Sequence, residues 1–188
     1  LVSQLTISEM AQLCVGVEDP NAKSFVGIAS AEIPGAAGDT TSALEESRGV
    51  GHVIFADGPV GLRLTPQFSV ESDGTLKNIY LGLQDTADQD GTTYYQICTA
   101  LPIATSLAST WNTELMKVYA EIVRLEMEEF GVDFWLAPAM NLHRNPLCGR
   151  NFEYYSEDPL ISGLFAASFT QQIQFTGQQG VVVKHFVV

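Results

Sequence analysis

The sequence predicts an α/β fold built from parallel strands with intervening helices. Two observations carry this prediction. Short apolar runs ending in turns alternate with helical periodicities, in the order strand, helix, strand, helix, strand. Polar or charged residues stand just past the C-terminal ends of the runs, at Asp57, at Asn141 to Arg150 and at Lys184-His185. That edge is where parallel α/β folds bind ligands. Composition agrees: 188 residues, 46% hydrophobic and 16% charged, suffice for one domain with a sizeable core and exclude a disordered chain.

The elements follow in order. Thr6 with Glu9 three residues later has the form of a capping box, and Met10, Leu13 and Cys14 behind it share one helical face. Residues 27 to 51, rich in Gly, Ala and Ser around Pro34-Gly35-Ala36-Ala37-Gly38, read as loop. His52 to Ala56 reads as a buried strand that delivers Asp57 into the turn Asp57-Gly58-Pro59. Residues 65 to 95 are polar, contain Asp73-Gly74 and Asp90-Gly91, show no sustained period and read as a functional or decorated loop. Leu101-Pro102-Ile103-Ala104 is a second strand candidate. A helix then starts near Asn112, with Leu115, Val118, Tyr119, Ile122 and Val123 predicted on its inner face and Glu114, Lys117 and Glu121 outside. Gly131 closes it. Val132 to Pro138 is a third strand candidate, and Asp158-Pro159 supplies an N-cap and a first-turn proline to a helix running from Leu160 to Ile173. Val181-Val182-Val183 is the fourth strand, ending in Lys184-His185.

Charge excludes some partners. Nine Lys plus Arg against 22 Asp plus Glu give a net charge of −13 and a pI near 4.4. Such a surface repels phosphate backbones and anionic headgroups, so neither nucleic acid nor a membrane is expected as a partner. No apolar run approaches the roughly 18 residues of a membrane span. Three widely spaced cysteines, Cys14, Cys98 and Cys148, fit neither a disulfide framework nor a metal site. They read as thiols of a reducing compartment, so a cytoplasmic location is expected. With no Met at position 1 and an apolar run at the other end, the chain is expected to be a fragment.

Three constellations can carry chemistry. In Asp57-Gly58-Pro59-Val60-Gly61-Leu62-Arg63, a carboxylate and a guanidinium can face each other across a rigid turn. The pair suits a ligand with several hydroxyls, though an Asp–Arg pair that merely pins a loop fits as well. The segment from Asn141 to Asp158 crowds two arginines, His143 and several amides and acids into one connection. Arg150 is the candidate for binding there, whereas Glu153 and Asp158 are expected only to pair with the arginines and cap the helix; His143 fits either role. Lys184-His185 closes a run of valines, where a lysine needs a partner, a ligand or solvent. Trp111 and Trp135 have the surface to stack on a sugar, but aromatics in apolar stretches belong more often to the core. Gly35 and Gly38 lack the strand-to-helix context of a nucleotide fingerprint, the histidines lack metal spacing, and no Gly-x-Ser-x-Gly elbow occurs. Neither a cofactor nor a metal is expected.

Taken in order, these motifs resemble glycoside hydrolase family 3, the group containing many β-glucosidases. The resemblance is carried by Asp57 to Arg63, by the stretch ending Ser109-Thr110-Trp111-Asn112, by Asn145 to Pro159 and by Lys184-His185-Phe186. The long middle motif is the most specific, and residues 65 to 95 are the least similar. The resemblance implies that residues 1–188 form the N-terminal part of a (β/α)₈ barrel, incomplete because a full barrel needs about 250 residues. It implies that Asp57, Arg63, Arg150, Lys184 and His185 line the subsite for the non-reducing-end sugar of a small-molecule or oligosaccharide substrate. It further implies a retaining β-glucosidase whose nucleophile and acid/base lie beyond Val188. β-Xylosidase or α-arabinofuranosidase activity, a silent sugar-binding protein on the same scaffold and a plain structural domain are the alternatives. The N-acetylglucosaminidase branch is disfavoured, because Val187-Val188 stand where its Lys-His-Phe motif continues with Pro-Gly.

Overall fold

The computed structural model describes residues 2–17, 29–78 and 91–186. Residues 27 and 28 of the glycine-rich stretch, residues 79–90 of the polar excursion and Val187-Val188 lie outside the described residues. The chain divides into two compact units, Leu1–Ala56 with Leu64–Ile97 and Asp57–Arg63 with Cys98–Val188. Helices and strands are mixed in an α/β arrangement.

In the first unit, helix α1 (Ile7–Leu13) is opened by the expected capping box: the Glu9 N–H donates to Thr6 Oγ1, and the Thr6 N–H donates to Glu9 Oε2. Its expected inner face is not buried, because none of its residues is. The stretch read as loop holds strand β1 (Gly38–Asp39) and helix α2 (Glu45–Arg48), which closes on left-handed Gly49. β1 pairs antiparallel with β2 (Ile54–Ala56). The polar excursion is also more ordered than its sequence suggests. Strands β3 (Gln67–Val70), β4 (Leu76–Asn78) and β5 (Thr92–Tyr95) form an antiparallel sheet in the order β4-β3-β5. No period of two marks it because β5 is exposed throughout and β3 fully buries only Ser69. A stacked Phe68–Tyr94 pair and the Asp73-Gly74 turn hold the strands instead.

The second unit carries the helical mass. Leu101 to Ala104 is not a strand: Pro102 removes a ladder donor, and Ala104 opens helix α3 (Ala104–Ala108). Helix α4 (Thr113–Phe130) begins as predicted, with Asn112 Oδ1 accepting from the Glu114 and Leu115 N–H groups, and ends at left-handed Gly131. Its buried face differs from the expected one, comprising Met116, Ala120, Val123, Arg124 and Met127, while Val118 is exposed. Arg124 turns inward because its guanidinium is matched by Glu121 at 2.7 Å and Glu128 at 3.0 Å.

Strand β6 (Phe134–Trp135), helix α5 (Pro159–Ile173) and strand β7 (Gly180–Val181) make a βαβ unit, with β6 and β7 parallel. Asp158 caps α5 through the Leu160 and Ile161 N–H groups. Trp135 packs on Phe169 with centroids 5.0 Å apart, so it is a core residue, whereas Trp111 is 77% exposed. Parallel pairing continues beyond the strands: the Lys184 N–H donates to Pro138 O, and the Met140 N–H donates to Lys184 O. This extension carries Lys184 and His185 alongside residues 138–141. No helix among the described residues is long and apolar enough to cross a membrane.

Candidate functional site

All five residues singled out in the sequence, Asp57, Arg63, Arg150, Lys184 and His185, belong to the second unit. The Asp57–Arg63 turn closes on itself, the Arg63 N–H donating to Asp57 O at 2.8 Å and its guanidinium reaching Asp57 Oδ2 at 2.8 Å. Two glycines make the closure possible. A Cβ on Gly58 would lie 1.6 Å from Gly61 O, and one on Gly61 would lie 2.2 Å from Thr99 O. Both glycines have positive φ, 141° and 110°.

Asp57 also faces the lysine, with Lys184 Nζ 3.8 Å from Asp57 Oδ1. The same ammonium lies 3.3 Å from Glu153 Oε2, and Glu153 Oε1 accepts a hydrogen bond from Arg150 Nε. One continuous array therefore runs Arg63, Asp57, Lys184, Glu153, Arg150. Lys184 is its middle member, and its most buried one is Glu153, only 3% exposed, on the 3-10 turn Asn151–Glu153. The sequence reading gave Glu153 an arginine partner, which it has, but missed the lysine. Burial pushes the Glu153 carboxyl upward, but the Arg150 hydrogen bond and the Lys184 charge outweigh it and hold the group below its ordinary value. Arg150 spends only Nε on this contact; among the described residues its terminal amines have no partner, and its side chain is 53% exposed.

Beside this array lies a cleft of about 560 Å³, lined by Asn141, Arg144, Cys148, Tyr154, Lys184 and His185 among others. That is the size of a small-molecule site. Asn141 Oδ1 meets both the backbone N–H and Nδ1 of His185, and the Tyr154 ring stands edge-on to the imidazole at 5.9 Å. Burial lowers the His185 pKa, and the Arg150 and Lys184 charges add to that effect against Glu153 and Asp57. Asn141 and Tyr154 were not singled out by sequence, because an amide and a phenol inside a polar segment carry no spacing signal. His143 has a different task. Its Nε2 faces the carbonyls of Asn151 and Tyr154 at 2.9 and 3.0 Å, pinning the turn that carries Glu153. No cluster of His, Cys, Asp or Glu suited to a metal ion occurs among the described residues.

Comparison with known proteins agrees with these motifs. Residues 66–188 match the family described as Glycosyl hydrolase family 3 N terminal domain. Beta-glucosidase A of Butyrivibrio fibrisolvens is 36% identical over 126 residues, 67% of this chain and 12% of that protein. An exo-alpha-(1->6)-L-arabinopyranosidase of Bifidobacterium longum is 35% identical over 142 residues, 75% of this chain and 16% of that protein. The structure of beta-glucosidase 3B from Thermotoga neapolitana in complex with alpha-D-glucose superposes with a TM-score of 0.75 at 42% identity, over 100% of this chain and 22% of that one. The chain thus spans about a fifth or less of the length of these relatives. On the match over residues 66–188 and on these identities, the chain belongs to glycosyl hydrolase family 3.

Proposed function

We propose that this chain supplies the charged wall of a sugar-binding subsite in a retaining, exo-acting β-glucosidase. In this reading residues 1–188 are the first part of a (β/α)₈ barrel, and the nucleophile and acid/base come from parts of the protein outside this chain. The observation that carries the reading is the array linking Asp57, Lys184, Glu153 and Arg150 beside a cleft that Lys184 and His185 line. A pyranose offers several hydroxyls, each a donor and an acceptor. Arg150, whose terminal amines have no partner among the described residues, and Lys184 donate to hydroxyl oxygens, while Asp57 accepts from hydroxyl hydrogens. Arg63 stands behind Asp57 and fixes its carboxylate. Such bonds accelerate hydrolysis to the extent that they strengthen as the ring distorts toward an oxocarbenium-like transition state.

Arg150→Ala in the whole protein tests this. A hydrogen bond from a charged donor contributes about 1.5–3 kcal/mol, so kcat/KM on an aryl β-glucoside should fall roughly 10- to 100-fold. Unchanged kinetics would remove Arg150 from the subsite. The Bifidobacterium longum relative supports a second reading, cleavage of a terminal pentopyranose. Faster turnover of aryl arabinopyranosides or xylosides than of glucosides would favour it.

A further inference from the structure

Asn141 makes no ion pair, yet two contacts determine how the cleft reads a ligand. Its Oδ1 accepts the His185 backbone N–H at 2.8 Å and lies 3.0 Å from His185 Nδ1. A backbone N–H can only donate, so the atom facing it is the amide oxygen and not the amide nitrogen. That oxygen would repel a bare imidazole nitrogen, and Nδ1 therefore carries the hydrogen. The Tyr154 hydroxyl, 3.4 Å from the same nitrogen, is too distant to reverse this choice by donating to it. A neutral imidazole with hydrogen on Nδ1 keeps a lone pair on Nε2. Among the described residues Nε2 has no partner, and His185 lines the cleft.

We infer that Asn141 is a positioning residue that locks His185 as the Nδ1–H tautomer, making Nε2 a hydrogen-bond acceptor for one hydroxyl of the ligand. The depressed pKa of His185, caused by burial and then by Arg150 and Lys184, keeps the ring neutral and the lone pair available. The consequence is selectivity by hydrogen. Arg150 and Lys184 offer only donors and accept any electronegative substituent, whereas Nε2 requires an O–H. A ligand whose hydroxyl is replaced by fluorine at that position keeps its shape and loses the contact. The tautomer follows from the geometry alone; only the nature of the hydroxyl rests on the sugar-binding reading.

Long-range proton–nitrogen NMR on the ¹⁵N-histidine-labelled full chain at neutral pH reads the tautomer directly, with His185→Gln identifying the signal. The expected spectrum has a protonated Nδ1 and an unprotonated Nε2. In Asn141→Leu the signals should move toward a tautomer mixture; in Asn141→Asp the protonated Nδ1 should remain while the ring titrates at higher pH. An Nε2–H ring in the unmodified chain would overturn the inference, and that measurement does not depend on an Asn141 variant folding. A tautomer unmoved by Asn141→Leu would also overturn it. In the whole protein, one monodeoxyfluoro glucoside should bind roughly 5- to 10-fold more weakly with a loss that shrinks in Asn141→Leu, whereas a loss at a hydroxyl held by Asp57 should be the same in both proteins. If the tautomer is as stated and no glucoside binds, the positioning role stands and the sugar-binding reading falls. If glucosides bind and no position shows a loss that shrinks in Asn141→Leu, the acceptor role of Nε2 is wrong.

Discussion

His52 in the first unit and His185 in the second carry the same ring in opposite surroundings. His52 has a carboxylate on each nitrogen, Glu45 Oε1 at 2.7 Å on Nδ1 and Glu32 Oε1 at 3.0 Å on Nε2. The hydrogen bond to Glu45 dominates and raises its pKa against the cost of burial, so the ring is stabilised as a cation. His185 has an amide oxygen and a phenol on one nitrogen and two cations nearby, and its pKa falls. The first ring is a clip between acids. The second is a neutral group with one side tied down and the other left for a ligand. What decides between these roles is whether the neighbours on the ring nitrogens are ionised.

The comparison can be broken most forcefully at Glu153, the buried acid that offsets the cations around His185. Glu153→Ala removes that counter-charge, leaving Arg150 half-exposed to solvent and Lys184 with Asp57, and should cost about 1–3 kcal/mol in urea denaturation, the range for deleting one partner of a charged hydrogen bond. Because the folded-state pKa of Glu153 is depressed, its stabilisation is present above the ordinary carboxylate value and disappears as pH falls through the lowered one. An acid-unfolding profile that Glu153→Gln leaves untouched would contradict this. A smaller change is expected at Glu45. In Glu45→Gln, His52 should titrate closer to its ordinary value by NMR, leaving His185 in place. The sign is opposite to that of Glu153: a raised pKa contributes stability below the unfolded value and loses it as pH rises through the folded one. The smallest effect belongs to Arg48, whose 2.7 Å pair with Glu9 is partly exposed at the surface. Arg48→Ala should not move the denaturation midpoint measurably, since screening and side-chain entropy cancel most of such a pair.

Helix ends were legible because they are written locally. Thr6 with Glu9, Asn112, Gly131 and Asp158-Pro159 each act within a few residues of their own position. Helix faces were less so. The α4 pattern pointed to Val118 and Tyr119, but Arg124 turns inward once two acids flank it, and Val118 stays exposed. Strands β3 to β5 escaped notice because short strands with almost no buried side chains leave no alternation to read. The parallel strands expected throughout are represented by β6 and β7, while β1–β2 and β3–β5 pair antiparallel. At the candidate site the charged residues stood out as motifs. Their wiring did not: that Glu153 bridges Arg150 and Lys184, or that Asn141 faces His185, depends on chain segments more than 30 residues apart meeting in space.

The turn between Asp57 and Arg63 has room for not even one methyl group at either glycine. The aim of the acid thus depends on two positions that present nothing to a ligand. A library of random variants screened for function would find Gly58 and Gly61 as intolerant as Asp57 itself, and intolerance there would report on backbone clearance rather than on chemistry.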